Sequence, residues 1–215
     1  MARFCSRLVQ AGMLACVLAY SASGLGGEDV ALLPVKLPRH VEIQLPKGWT
    51  LLSEAQSRGR EVMLDAATDI TRHASEGDRL NLLHAVSNPS GPYAAVVINS
   101  IQPPGVSFRQ VRKFDEDMLK AFGAGFERLI RDSLRKSGRQ LLSITSPRLE
   151  TVGGWPAIAI SYTRSGDQGT IYVQHFDIYT PDQELLLILA CRDAGRGTWL
   201  PVLERITKSL VAGEN

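Results

Sequence analysis

The pattern of apolar and polar positions sorts the chain into alternating strand-like and helix-like stretches. Val41-Glu42-Ile43-Gln44-Leu45 alternates strictly, and Pro46-Lys47-Gly48 then turns the chain, which predicts a short strand. Ser53 with Gln56 has capping-box spacing and predicts a helix to about Thr71, weakened in its first turns by Gly59. Leu80 to Val86 and Tyr93 to Ile101 flank the turn-rich Asn88-Pro89-Ser90-Gly91-Pro92 and predict a hairpin. The strongest element follows. Ser107 is a good N-cap and Gly138 a good stop. Between them Phe108, Val111, Met118, Leu119, Phe122, Phe126, Leu129, Ile130 and Ser133 fall on one arc at about 100° per residue. This predicts one long amphipathic helix with a single buried face.

Beyond Gly138 the pattern is strand-rich. Leu141 to Val152, Ala157 to Arg164, Thr170 to Thr180 and Glu184 to Cys191 are separated by connections of a few residues, too short for a parallel crossover, so neighbours must run antiparallel. A helix from about Trp199 to Val211 places Leu203, Ile206 and Leu210 on one face. The order β-α-β-β-α-β-β-β-β-α predicts an α+β fold, a meandering antiparallel sheet of about six or seven strands with helices packed on it.

The first 23 residues have a different character. Arg3 and Arg7 form a basic start, Leu8 to Tyr20 a mostly apolar run, and Ser21, Ala22, Ser23 and Gly24 a small-residue stretch, the pattern of an export signal cut after Ser23 or Gly24. The run of roughly 13 residues is shorter than the about 20 a membrane-spanning helix requires. Met13-Leu14-Ala15-Cys16 offers a weaker alternative, a lipoprotein box acylated at Cys16. Residues 24–39 hold Gly24, Gly26, Gly27, Pro34 and Pro38 with little periodicity and read as a flexible tether before a single domain over 40–211. Loss of the signal changes the charge. The 24 Lys+Arg stand against 22 Asp+Glu; with Arg3 and Arg7 gone the balance is neutral, which gives no basis for nucleic-acid binding. Cys5 and Cys16 leave too, and Cys191, at the end of an apolar run, reads as a buried, inert thiol.

Several of these residues carry a resemblance. Val41-Glu42-Ile43-Gln44-Leu45-Pro46-Lys47-Gly48-Trp49 resembles the strand-Pro-x-Gly-Trp opening of PsbP-like domains. Val152-Gly153-Gly154-Trp155-Pro156-Ala157 is similar to their Gly-x-Pro-Ala passage into a strand. Ile160-Ser161-Tyr162, a Gly-Asp turn, Tyr172 and Ile206-Thr207-Lys208-Ser209-Leu210 follow in order. On these residues the chain resembles the PsbP/Mog-like group, including exported bacterial proteins of the DcrB and domain-of-unknown-function type, over about residues 40 to 211. The resemblance implies an α/β/α sandwich and a non-enzymatic binding or assembly role. It supplies no shared active site to transfer.

No chemical motif stands out. There is no Cys-x-x-Cys or His-Glu-x-x-His, and His40, His73, His84 and His175 lie far apart, so no metal or other cofactor is expected. His84 and His175 would meet only if their strands were neighbours. No Gly-x-Ser-x-Gly elbow occurs, and Ser133-Leu134-Arg135-Lys136 matches Ser-x-x-Lys without its partner motifs, on the apolar arc of a helix. Gly123-Ala124-Gly125 and Gly195-Arg196-Gly197 lack the third glycine of a dinucleotide loop. The first pair implies close approach of the helix to the sheet. Asp115-Glu116-Asp117 falls near a helix start and complements its dipole.

Arg109, Lys113, Lys120, Arg128, Arg131 and Arg135 cluster opposite the apolar arc among Glu116, Asp117 and Glu127, a surface with some capacity for anionic lipid. The i,i+4 order of Glu116 with Lys120 and Glu127 with Arg131 is that of an ordinary solvated face. The reading is an exported, non-catalytic protein, periplasmic or secreted, that binds another protein or component of the cell envelope. A secreted, virulence-associated binding protein is the same chemistry in another place. A small-ligand binder or enzyme with a site at strand ends is the alternative, and it would use His84, Tyr162, Tyr172 or His175.

Overall fold

The computed structural model describes residues 30–53, 78–87 and 93–213. The expected signal, the helix expected after Ser53, His73 and the joint over 88–92 lie outside the described residues. In chain order the elements are β1 (Leu32–Leu37), β2 (Val41–Pro46), β3 (Thr50–Leu51), β4 (Asp78–Val86), β5 (Ala94–Gln102), α1 (Phe108–Val111) and α2 (Glu116–Lys136). There follow β6 (Leu141–Ile144), β7 (Arg148–Val152), β8 (Trp155–Arg164), β9 (Ile171–Tyr179), β10 (Glu184–Arg192), α3 (Arg196–Lys208) and β11 (Val211–Ala212).

One antiparallel sheet of eight strands runs β3-β4-β5-β10-β9-β8-β6, with β7 paired to the other half of β8. Both of its faces are covered, so β10 reads as an unbroken apolar run and not as an alternation. Leu185, Leu187, Leu189 and Cys191 point to the side that holds α3 and a small sheet in the order β1-β2-β11. Ile188 and Ala190 point to the side covered by α2, against Phe126, Ile130 and Leu134. At one end of that second side, Val111 of α1 buries Ile158 and Tyr179. The result is the expected α+β architecture of layered helices and antiparallel sheet, with a second, small sheet that the sequence did not announce.

Four expectations need revision. Leu32–Leu37, inside the expected tether, is a strand; Leu32, Val35 and Leu37 pack on the core, and Pro34 is tolerated because β1 is an edge strand. The long helix is two helices. Ser107 and Gln110 form a complete capping box for α1, and Asp115 restarts the chain as α2 by accepting from Met118 N at 2.9 Å. Met118 and Leu129, placed on the buried arc, are 49% and 37% exposed, because the helix rests on the sheet through Phe126, Ile130 and Leu134. The strand expected over 141–152 is interrupted at 145–147. The Thr145 hydroxyl donates to Ser161 O at 3.1 Å and accepts from Ser161 N at 3.0 Å, and Pro147 lacks a ladder donor. The last helix runs Arg196–Lys208, and Val211–Ala212 pairs with β2.

Candidate ligand site

Cross-strand register fixes where the four candidate residues stand. His84, Val97, Ile188, His175 and Ile160 form one row across β4, β5, β10, β9 and β8. The two histidines therefore share a face but are three strand spacings apart, about 14 Å at roughly 4.8 Å per strand. They do not meet. Tyr162 is on the same face, buried against Phe126 with ring centroids 6.3 Å apart; burial lifts its hydroxyl well above the usual tyrosine range, against a smaller opposing pull from Arg164. Tyr172 belongs to the opposite face, where the Arg196 guanidinium lies 3.8 Å over its ring. Of the four, His175 lines a cavity of ligand size.

That cavity, about 260 Å³, lies between the flank of α2 and strands β5, β9 and β10. Its apolar wall is Ala121, Phe122, Phe126 and Leu129 from the helix with Ile101 and Leu186 from the sheet. Its polar groups come from one corner: His175 and Asp177 on β9, and Glu184 on β10. Period-two alternation explains the pair, since residues two apart on a strand face the same way. His175 Nε2 and Asp177 Oδ1 are 2.8 Å apart, and the imidazole packs edge-on to Phe126 at 4.9 Å. His175 is 1% exposed, and its Nδ1 has no protein partner among the described residues. In the row beside it, buried Asn99 also leaves its amide nitrogen without a partner among the described residues.

Glu184 sits one row further along, opposite Tyr179 and Ile101. Burial first, and then the charge of Asp177, push its carboxyl up to about 7, opposed by a hydrogen bond from the Gly105 backbone. The Tyr179 hydroxyl is raised well above its ordinary value by burial, then by Asp177 and Glu184. Among the described residues the polar groups lining the cavity are one imidazole and two carboxyl groups, with no lysine or arginine. Among the described residues no three of His, Cys, Asp and Glu are placed to hold a metal ion.

The two mid-helix glycines differ. A Cβ on Gly123 would lie 2.8 Å from Pro147 Cγ and Cδ, which is the close approach the sequence implied. A Cβ on Gly125 would meet nothing within 4 Å, and Gly125 lines the cavity. Packing does not explain Gly125. Its missing side chain contributes to the empty space.

Sequence reasoning missed Asp177, Glu184 and Gly125. The available signal was His175-x-Asp177 inside an apolar strand, which fixes both side chains to one buried face. Other expectations can be placed directly. Ser133 is buried on α2, and burial raises the Cys191 thiol to about 11, with a lesser opposing effect from Arg196. The helix break removes Arg109 and Lys113 from the basic stripe. On α2 itself Lys120, Arg128, Arg131 and Arg135 face Glu116, Asp117, Glu127 and Asp132, with Arg131 paired to Glu127 at 2.6 Å and Arg135 to Asp132 at 3.3 Å. With Lys136, five basic residues stand against four acidic ones, so the helix carries a net charge of only plus one. Among the described residues no helix is long and apolar enough to cross a membrane.

No family model matches the chain, and no curated protein does. Solved structures do. The cyanobacterial PsbP protein (CyanoP) of Synechocystis sp. PCC 6803 is similar at a TM-score of 0.51 and 15% identity, covering 90% of this chain and 98% of that one. LpqN of Mycobacterium tuberculosis, described as involved in cell envelope biogenesis, gives 0.43 at 14% identity over 85% of this chain and 91% of its own. The putative regulator PA94 of Pseudomonas aeruginosa gives 0.41 at 13% identity over 86% and 99%. The overall match to CyanoP, along nearly the full length of both chains, agrees with the strand-Pro-x-Gly-Trp opening at Val41 to Trp49, and the chain has a PsbP-like fold.

Proposed function

We propose that this chain is an extracytoplasmic, non-catalytic binding protein, and that the cavity between α2 and the sheet takes a small apolar ligand carrying an ammonium group. The observation that carries this is the composition of the cavity: apolar walls from Phe122, Phe126, Leu129 and Leu186, with the Asp177 and Glu184 carboxyl groups beside His175 at the polar corner and no lysine or arginine among the described lining residues. Buried carboxylates without a cation favour a ligand that supplies one, and an ammonium brings three donors. The size agrees. Benzene occupies an engineered apolar cavity of about 150 Å³, so this one has room for a ring with a short arm. The extracytoplasmic part of the reading rests on the signal-like first 23 residues.

The His175–Asp177 pair has the form of two members of a hydrolytic triad, but a triad needs a hydroxyl or thiol at the second ring nitrogen. Among the described residues none reaches Nδ1, which supports a binding role. Docking to another envelope protein is favoured by a different observation. β6 and β7 form an edge of the large sheet and expose Leu142 and Leu149.

The test is thermal unfolding and calorimetric titration of the full chain with 2-phenylethylamine, 3-phenylpropionate and 2-phenylethanol. The amine should bind and raise the melting temperature, the other two should not, and Gly125→Leu should abolish the effect by filling the cavity. Equal binding of the carboxylate would overturn the ammonium assignment. If none of the three binds, the cavity is not a ligand site.

A further inference from the structure

The outward backbone groups of β7 can be assigned from its turn. Gly153 and Gly154 join β7 to β8 with φ of 59° and 85°, left-handed at both positions, the pattern of a type I′ hairpin. The closing pair of such a hairpin, here Val152 and Trp155, exchanges both hydrogen bonds. The alternation of an antiparallel ladder then turns the N–H and C=O of Glu150 and Arg148 toward β8 as well. Those of Leu149 and Thr151 therefore point away from the sheet. Among the described residues no further backbone hydrogen bond reaches them. Beside this side of β7 lies an open groove of about 550 Å³, lined by Arg112, Leu149, Glu150, Thr151, Gly154 and Pro156. The groove leaves room along the unpaired edge.

The side chains on this edge complement themselves. Leu149 stands opposite Ile158, which Val111 of α1 covers, and is 36% exposed. Arg148 and Glu150 stand opposite Ala159 and Ala157 on the other face and pair with each other at the surface. An edge that continues its sheet with a copy of itself does so about a two-fold axis perpendicular to the sheet, which sets the two strands antiparallel. Directly opposite residues must point to one face, so the axis passes through a residue and not between two. Centred on Arg148 or on Glu150, it sets like charges directly opposite, which destabilises. Centred on Thr151, it leaves Arg148 and Glu150 facing uncharged residues. Centred on Leu149, it sets Arg148 of each copy against Glu150 of the other, with Leu149 against its own copy on the opposite face. In that register Leu149 also exchanges both backbone hydrogen bonds with its copy. Pro147, opposite Thr151, lacks an N–H and ends the ladder.

We propose that β7 pairs antiparallel with β7 of a second copy of this chain, about a two-fold axis at Leu149 and through reciprocal Arg148–Glu150 pairs. The dimer rests on the same exposed edge as docking to another envelope protein, names a second copy as the occupant, and is independent of the cavity under α2. A ladder of so few residues belongs with weak, transient contacts and not with the about 1,200–2,000 Å² of stable complexes. Dimerisation therefore depends on concentration.

The experiment is sedimentation velocity of the full chain from micromolar to millimolar concentration. Reversible dimer formation is expected, weakening as salt is raised. Arg148→Glu alone and Glu150→Arg alone each set like charges opposite one another, and each should weaken dimerisation at least about tenfold at an unchanged melting temperature. Mixed together, the two variants restore opposite charges across the axis and should form a heterodimer. The double exchange, Arg148→Glu with Glu150→Arg in one chain, should dimerise as the wild type does. A chain that stays monomeric overturns the proposal, as does a dimer that neither single variant weakens or a mixture that recovers no dimer. Hydrogen exchange tells two failures apart. In a chain that stays monomeric, a fast Leu149 amide removes the second copy alone, whereas a protected one removes the free edge and the docking reading with it.

Discussion

Gly123 and Gly125 lie two residues apart in α2, and alanine should act on them in opposite directions. In a helix interior alanine is favoured over glycine by about 1 kcal/mol, and measured gains at compatible sites run about 0.4–1 kcal/mol. At Gly125 nothing opposes that gain, because the added Cβ has no neighbour within 4 Å. Gly125→Ala should therefore raise stability by about 0.5–1 kcal/mol, a rise of about 1–4 °C in melting temperature for a chain of this size. At Gly123 the Cβ would lie 2.8 Å from two carbons of the Pro147 ring, where ordinary carbon contacts are about 3.5–4.0 Å. A proline ring has no rotamer by which to escape. Pro147 is also held at the break between β6 and β7, so the helix or the edge must shift. Overpacking of this kind costs about 1–3 kcal/mol, enough to cancel the propensity gain and leave a net loss of up to about 2 kcal/mol. Urea unfolding of the two single variants decides it, provided the dependence on denaturant stays that of the wild type. Two gains would refute the close approach of α2 to Pro147. Two losses would refute the open space at Gly125.

Phe126 is 5% exposed and touches His175, Tyr162 and Phe122, so Phe126→Ala should cost about 3–5 kcal/mol in denaturant unfolding; a loss below about 1 kcal/mol would mean that a different face of α2 is buried. Glu184 faces Asp177 and Tyr179 of β9 and the Gly105 N–H, and its carboxyl rises from an ordinary 4.5 to about 7 on folding. The folded state then binds more protons between those values, so this contribution is complete below about 4.5 and lost as pH rises through about 7, on the order of 3 kcal/mol in all. The difference in unfolding free energy between wild type and Glu184→Gln should follow that curve, and a pH-independent difference would contradict it. Cys191 is fully buried with its thiol raised to about 11, so it should react with a thiol reagent at pH 8 only at the rate of unfolding. Labelling of the native protein within minutes would show that the β10 end is open.

The elements that the sequence made legible are those whose pattern is local. Val41 to Leu45 alternates because one side of β2 meets the core and the other does not. Leu203, Ile206 and Leu210 repeat at helical spacing because α3 covers one face of the sheet, and all three are buried. Where the chain departs from expectation, a non-local partner decides. β1 looks like a linker because Pro34 and the flanking glycines carry no periodicity, and only pairing with β2 makes it a strand. The break before α2 depends on a choice between two caps. Ser107 and Asp115 both qualify by type, and the burial of Val111 on Ile158 and Tyr179 lets both be used.

The sites were less legible than the fold for a related reason. Sequence order gives the face on which a strand residue points but not which strand lies beside it. His84 and His175 are comparable as sequence features, yet β5 and β10 separate them. Asp177 and Glu184 lie seven residues apart, and the tight connection between β9 and β10 sets them on adjacent rows of one face. Arg139, Arg164 and Arg192 are spread over 53 positions and meet because three chain segments come together at the same end of the sheet. The antiparallel order places the carboxylates at one end of β9 and β10 and the arginines at the other. A single sheet thus carries the cavity and the arginines at opposite ends, and neither grouping is visible in any short motif.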